Sequence, residues 1–154
     1  MNNIKEAMAE RYDEHMDRFV RECRKAGLRI TPQRMAVYEA LLASEDHPSA
    51  EALHRRVSQK MPNISLDTVN RTVHTLTEIG VAFALEGSGD AMRFDAGLHQ
   101  HQHFRCVKCR RIIDFHYEPF DNIELPDDVC GDCTVLRKTV YVEGLCGTCS
   151  RNVD

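Results

Sequence analysis

Between Asp95 and Cys149 the chain gathers side chains that bind metal ions, and they are of two chemical kinds. Sulfur comes from Cys-x-x-Cys pairs: Cys106/Cys109, Cys130/Cys133 and Cys146/Cys149. A Cys-x-x-Cys turn lets two thiolates approach one ion at tetrahedral angles. Two such turns close a four-sulfur site with no open position, the mark of a structural Zn(II). Cys106, Cys109, Cys146 and Cys149 are the preferred set, because strand-like residues adjoin both pairs and can bring the turns together. Cys130/Cys133 can replace either pair, and spacing alone leaves that choice open; free thiols or a redox pair are the alternative. Cys23, the odd one, reads as a buried helix residue.

Nitrogen and oxygen come from a different set. His101 and His103 share a face if their segment is extended, and imidazoles with carboxylates suit Fe(II), Mn(II) or Zn(II). Asp95 upstream and Asp114 downstream complete two nitrogens plus carboxylate oxygens, a set able to hold a divalent ion reversibly. His99 is a spare candidate, whereas His15, His54 and His116 read as surface or packing residues.

The elements that must position these groups follow from periodicity and caps. A first helix is expected from about Lys5 to Ala26, with Met16, Phe19, Val20 and Cys23 as its apolar stripe and Gly27 as its stop. Thr31-Pro32 opens a second helix ending near Ala43, Ser49 caps a third and Ser65 a fourth. The fourth, about Leu66 to Ile79, buries Val69, Val73 and Leu76 and leaves Asn70, Arg71 and His74 on another face. Val81 to Leu85, a Gly87-Ser88-Gly89-Asp90 turn and Ala91 to Phe94 then spell a hairpin. Helix-turn-helix plus hairpin is a winged-helix pattern, and a plain helical bundle with a hairpin is its competitor. Beyond Asp95 short strand-like runs, Arg111 to Phe115 and Val135 to Val142, indicate a small second lobe. The expected fold is α+β, with a winged helix-turn-helix domain over residues 1–95 and a small α/β metal-binding domain with a structural zinc over 96–154.

The 154 residues suffice for two such lobes, and no apolar run is long enough for a membrane span or a secretory leader. A cytoplasmic protein is expected, and seven cysteines there favour metal ligation over disulfides. The net charge of −4 argues mildly against nucleic acid, yet its distribution is uneven. Residues 1–85 carry 12 basic and 12 acidic side chains and residues 86–154 carry 8 and 12, so the deficit lies in the second half. The first half stays electrostatically open to DNA, and Arg18, Arg21, Arg24, Lys25 and Arg29 form either a phosphate-binding cluster or a solvated helix face.

Gly27-Leu-Arg-Ile-Thr-Pro-Gln-Arg34, His47-Pro48, Thr68-Val69-x-Arg71, Arg93-Phe94-Asp95, His101-x-His103 with Cys106-x-x-Cys109, and Gly144-Leu-Cys-x-x-Cys149 together resemble the ferric uptake regulator (Fur) family. The resemblance runs from about Phe19 to Cys149 in the family's order. It implies a homodimeric, metal-dependent repressor that binds double-stranded operator DNA through the winged helix, dimerises through the second lobe and holds zinc with four cysteines. Carried over by position, His47 matches a ligand from the DNA-binding lobe and Asp95 the carboxylate after the wing. His101, His103 and Asp114 match ligands from the other lobe, so the ion would bridge the two and favour the DNA-binding form.

Asp114 resembles the peroxide-sensing (PerR) branch, whereas iron-sensing members commonly carry glutamate there. In that branch the resemblance implies that Fe(II) reacts with hydrogen peroxide and the oxidant formed oxidises a ligand histidine, here His47 or His103. That consumes the protein once, so no enzyme is expected. Iron-responsive (Fur) or zinc-responsive (Zur) repression is the alternative. Thr68, Asn70, Arg71 and His74 are the expected groove contacts, with bases read by Arg71 or Asn70. The chain also departs from the family. Asn70 replaces a tyrosine, Arg110 stands where glycine commonly follows the knuckle, and Pro126 interrupts a helix. Arg137-Lys138 lies where many relatives have a further ligand histidine, and Cys130/Cys133 is unusual. A non-haem iron oxygenase would use similar ligands, but no substrate pocket, general acid or cofactor loop is evident.

Overall fold

The computed structural model describes residues 2–85, 91–97, 101–135 and 137–152, with side chains from Arg11 onward. The expected turn Gly87-Ser88-Gly89-Asp90 and the spare candidate His99 lie outside the described residues. The chain divides into two units, Met1–Leu98 and His99–Asp154.

Each helix of the first unit starts where a side-chain oxygen can cap it. α1 spans Asn2–Lys25, α2 Pro32–Leu42, α3 Ala50–Ser58 and α4 Leu66–Glu78. Thr31, Ser49 and Ser65 accept from the backbone N–H groups of Arg34, Ala52 and Thr68, satisfying donors that the first helical turn leaves unpaired. Gly27 and Gly80 end α1 and α4 at φ +67° and +75°, a conformation glycine adopts without a Cβ penalty. Burial decides how the helices pack. Phe19 and Cys23 of α1, Val37, Tyr38 and Leu41 of α2, Leu53 and Val57 of α3, and Val69, Val73 and Leu76 of α4 form one core. The Phe19 and Tyr38 rings stack with centroids 4.8 Å apart. Cys23 is fully buried, and that desolvation pushes its thiol up, as befits a packing residue.

The hairpin follows α4. β1 (Phe83–Leu85) pairs antiparallel with β2 (Arg93–Asp95), placing Ala84 opposite Phe94 and burying Phe94 in the helical core. Four helices and this hairpin make the winged-helix part of the α+β fold.

The second unit is a three-stranded sheet in the order β4-β3-β5. β3 (Gln102–Cys106) runs antiparallel to β4 (Ile112–Phe115) and parallel to β5 (Tyr141–Gly144). A parallel neighbour requires a crossover, here residues 116–140 with the single turns α5 (Glu118–Asp121) and α6 (Asp127–Cys130). Pro126 separates those turns and its carbonyl accepts from the N–H groups of Val129 and Cys130. The strand expected from Val135 begins only at Tyr141. The physical reason is anchoring: Lys138 Nζ donates to the carbonyls of Ile123 (2.7 Å) and Asp121 (3.4 Å), which holds the preceding segment to the crossover. α7 (Gly147–Arg151) closes the described chain.

Candidate metal centres and nucleic-acid face

The four-sulfur cluster is a consequence of the parallel pair. Because β3 and β5 run side by side with Cys106 in register with Gly144, both exit at the same end of the sheet. Cys106 ends β3 and Cys109 lies in the turn after it, Cys146 occupies the N-cap position of α7 without a side-chain capping bond, and Cys149 lies in the first turn of that helix. One sulfur from each of the four falls within 4.8 Å of every other. The Cys109 and Cys146 sulfurs are 3.7 Å apart, which fits the edge of about 3.8 Å in a tetrahedron with metal–sulfur arms of about 2.3 Å. The donor set and its shape therefore fit a structural zinc-type ion. Cys130 ends α6 and Cys133 follows it, and neither joins this group.

The thiols are polarised unequally. Backbone N–H groups of Cys109 and Cys146 point at the Cys106 sulfur, at 3.5 and 3.4 Å, and the Cys109 N–H leads in lowering its pKa to about 6. The N–H of Cys149 leads in lowering that of Cys146. Desolvation and the neighbouring sulfurs push Cys149 up to about 12. Four anions cannot share this space unaided, so a central cation is what lets all four ionise.

Candidate histidine and carboxylate ligands cluster within each unit separately. In the first, His47 is buried at φ +48°, a left-handed conformation that a non-glycine side chain rarely adopts. Several bonds fasten this turn to β2. The Phe94 N–H donates to the Pro48 carbonyl at 3.0 Å, Ser49 bridges Arg93, and the Arg93 guanidinium donates to the carbonyls of Asp46 and His47. Two residues beyond Arg93, Asp95 accepts from the Gly97 N–H through Oδ1 at 2.8 Å. A ring nitrogen of His47 and a carboxylate oxygen of Asp95 lie within 4.8 Å of each other. Two ligands on one ion with arms of about 2.1 Å stand roughly 3–4 Å apart, so this pair needs only a small adjustment to share a cation.

In the second unit β3 is the organiser. His101 precedes it and His103 lies within it, two residues apart and therefore on one face, with ring centroids 4.6 Å apart. Asp114 sits directly opposite His103 on β4. Its two oxygens lie 3.5 Å from His103 Nε2 and 3.9 Å from His101 Nε2. On the other flank Tyr141 of β5 is opposite His103 and lies over its ring, centroids 5.8 Å apart and planes 22° apart. The sequence reading missed Tyr141, whose only signal was its register against His103. Gln102, between the histidines, points to the opposite face, where its amide donates to Asp121 (2.6 Å) and accepts from the Tyr117 N–H (2.8 Å). Two imidazoles beside a carboxylate fit a borderline divalent cation such as Fe(II) or Mn(II).

The other histidines have packing partners. The Tyr38 hydroxyl donates to the His15 carbonyl, His54 Nε2 meets the Ile64 carbonyl at 3.0 Å, and His116 pairs with Asp121 at 2.8 Å. On α4, Asn70, Arg71 and His74 are exposed and Thr68 is half-buried. Arg71 is paired with Asp67 one turn earlier at 2.6 Å, and the His74 ring meets Phe94 edge-on at 5.7 Å. The basic residues of α1 are partly engaged: Arg18 donates to the Gly80 carbonyl, while Arg21 and Lys25 pair with Glu22.

Comparison with known proteins places this architecture. The ferric uptake regulator family matches residues 25–133. The peroxide-responsive repressor PerR of Staphylococcus epidermidis is 35% identical over 143 residues, covering 93% of this chain and 95% of the repressor. The corresponding Staphylococcus aureus protein is 31% identical over 140 residues, covering 91% and 95%. Among solved structures, the Helicobacter pylori ferric uptake regulator Fur superposes with a TM-score of 0.72 at 25% identity, covering 90% of this chain and 93% of that one. The Campylobacter jejuni peroxide stress regulator gives 0.64 at 25% identity, covering 87% and 98%.

This chain belongs to the ferric uptake regulator family of metal-responsive regulators. Among the described residues no helix is long and apolar enough to cross a membrane.

Proposed function

We propose that the protein is a peroxide-responsive transcriptional repressor that binds double-stranded operator DNA as a homodimer in the cytoplasm, with Zn(II) on Cys106, Cys109, Cys146 and Cys149 and a regulatory Fe(II) or Mn(II) on His47, Asp95, His101, His103 and Asp114. The observation that carries this reading is the pair of half-built ligand sets. His47 meets Asp95 in the first unit, and His101 and His103 meet Asp114 in the second. Neither half supplies enough ligands for a firmly held ion. Asp95 and His101 are only six residues apart in sequence, so the two halves are tethered within about 20 Å of chain. Sharing one cation would couple the two units, and its affinity difference between arrangements would set the shift toward the DNA-binding one.

Aspartate at position 114 and the staphylococcal PerR relatives favour peroxide as the signal. An Fe(II) ion held by these residues would activate peroxide so that one oxygen is added to an imidazole C–H carbon and the other leaves as water. The chain's part is to hold the His47 and His103 imidazoles where they are oxidised first. An imidazole carrying an added oxygen is a poorer ligand, so its half of the set lets go. Thr68, Asn70, Arg71 and His74 on α4 face the groove in this reading. The protein is altered once and does not turn over, so it is a sensor and no enzyme.

The deciding experiment loads the protein anaerobically with Fe(II) or Mn(II), adds peroxide, and reads operator binding together with peptide masses. Loss of binding with a +16 Da shift on the His47 or His103 peptide, in the iron form only, is the expected result. A second reading, an iron- or zinc-responsive repressor, draws on Arg71, which resembles iron regulators. It predicts operator binding that follows metal supply and survives peroxide with both histidines intact.

A further inference from the structure

The His47 turn poses a physical problem that its own residue does not solve. A side chain at φ +48° is held against a local preference for other backbone conformations, so something outside the turn must keep it there. The contacts come from β2. Arg93 sends Nε to the His47 carbonyl and Nη2 to the Asp46 carbonyl, a fork across two consecutive peptide units. The Phe94 N–H to the Pro48 carbonyl and the Ser49–Arg93 bridge extend the same seam by one residue. On the same three-residue strand stands Asp95, whose carboxylate approaches the His47 ring. One short strand thus carries a ligand and the clamp that presents the other ligand to it.

We propose that Arg93 is a positioning residue for metal binding: its forked guanidinium locks the His47 turn so that the imidazole arrives at Asp95 already oriented, and without it His47 is a poor ligand. This rests on the metal-site reading given above. The clamp acts by preorganisation. An ion binding the unlocked turn must itself pay the ordering cost, so affinity falls although every ligand is present. A lysine keeps the charge but offers a single point donor, so it can hold one carbonyl and not the pair.

The test compares the full chain with Arg93→Met, Arg93→Lys and His47→Ala, each carrying zinc on sulfur. Mn(II) affinity is read by the electron paramagnetic resonance signal of free Mn(II), and coordination by the d–d absorption of the Co(II)-loaded protein. Zinc content and helical circular dichroism report the fold. Expected for Arg93→Met is Mn(II) binding weakened about tenfold or more, a Co(II) spectrum moved toward that of His47→Ala, and unchanged zinc and helix content, with Arg93→Lys intermediate. Wild-type affinity and spectrum in Arg93→Met, while His47→Ala loses both, would overturn the proposal and leave the site reading standing. Failure of His47→Ala to weaken Mn(II) binding would sink the site reading itself and the proposal with it. Should both Arg93 variants lose helix content along with metal, Arg93 is a general structural residue and the proposal is again overturned.

Discussion

Asp114 faces His103 across the β3–β4 ladder, Cα against Cα in register, with a carboxylate oxygen 3.5 Å from Nε2 of a ring that is almost wholly buried. A half-exposed aspartate therefore reaches a buried imidazole over a strand spacing of about 5 Å, which its short side chain spans without reorganising the sheet. Replacing Asp114 by Ala should weaken Mn(II) binding about tenfold to a hundredfold while zinc content stays the same. An unchanged Mn(II) titration would remove Asp114 from the ligand set.

The sulfur cluster makes a separate prediction because its four side chains tie the turn after β3 to the start of α7, with the Lys108 Nζ bond to the Asn152 carbonyl (2.8 Å) beside them. Cys146→Ser should release the ion and unfold the second unit, while helical circular dichroism from α1 to α4 persists. Structural Zn(II) contributes on the order of 10 kcal/mol to small domains, more than a sheet of three short strands can replace. Proton exchange of the β3–β5 amides by NMR is the direct measurement. Protected amides in the variant would show that the sheet stands without the ion.

Arg71 and Asp67 separate specificity from stability. Their exposed i,i+4 pair adds only about 0.3–0.5 kcal/mol to α4, so Asp67→Asn should leave thermal unfolding almost unchanged. Arg71→Ala should relax operator preference by about 1–3 kcal/mol at one base pair. A thermal melt checks the first, and binding measured against a set of single-base operator variants checks the second. A uniform loss across all of them would make Arg71 a phosphate contact.

Acid sensitivity beside His47 has a definite sign. The Arg56 guanidinium, 2.6 Å from Asp46, leads in holding that carboxyl below the usual carboxylate range. Ionised Asp46 therefore stabilises the fold fully above its unfolded pKa of about 4, and the contribution is lost as pH falls through the lower folded value. Asp46→Asn should flatten that acid limb by removing a contribution present at neutral pH, small because the pair is solvent-exposed, and leave the acid end of the curve nearly unaffected. Urea midpoints measured from pH 6 to pH 3 would reveal an unaltered limb if the pairing contributes nothing.

Arg110 offers a backbone test. It follows the Cys106–Cys109 knuckle at φ +63°, where glycine carries no steric penalty. Arg110→Gly should leave the zinc site intact and change stability favourably by up to about 1 kcal/mol, read as a rise in the melting temperature of the second unit.

Much of this was legible in the chain because local chemistry writes it there. Thr31, Ser49 and Ser65 announce three helix starts, and the Val69, Val73 and Leu76 spacing announces which face of α4 is buried. His101 and His103 share a face as soon as their segment is extended, since strand geometry allows nothing else. Which cysteine pairs meet was not decided by spacing, which treats Cys130/Cys133 as an equal competitor. The parallel pairing of β5 with β3 decides it by putting Cys106 and Gly144 in register, a contact between residues 38 apart that no local preference encodes. The late start of β5 at Tyr141, the stacking of that ring on His103 and the grip of Arg93 on His47 have the same origin. Each depends on strands distant in sequence being aligned, and alignment is a property of the packed fold.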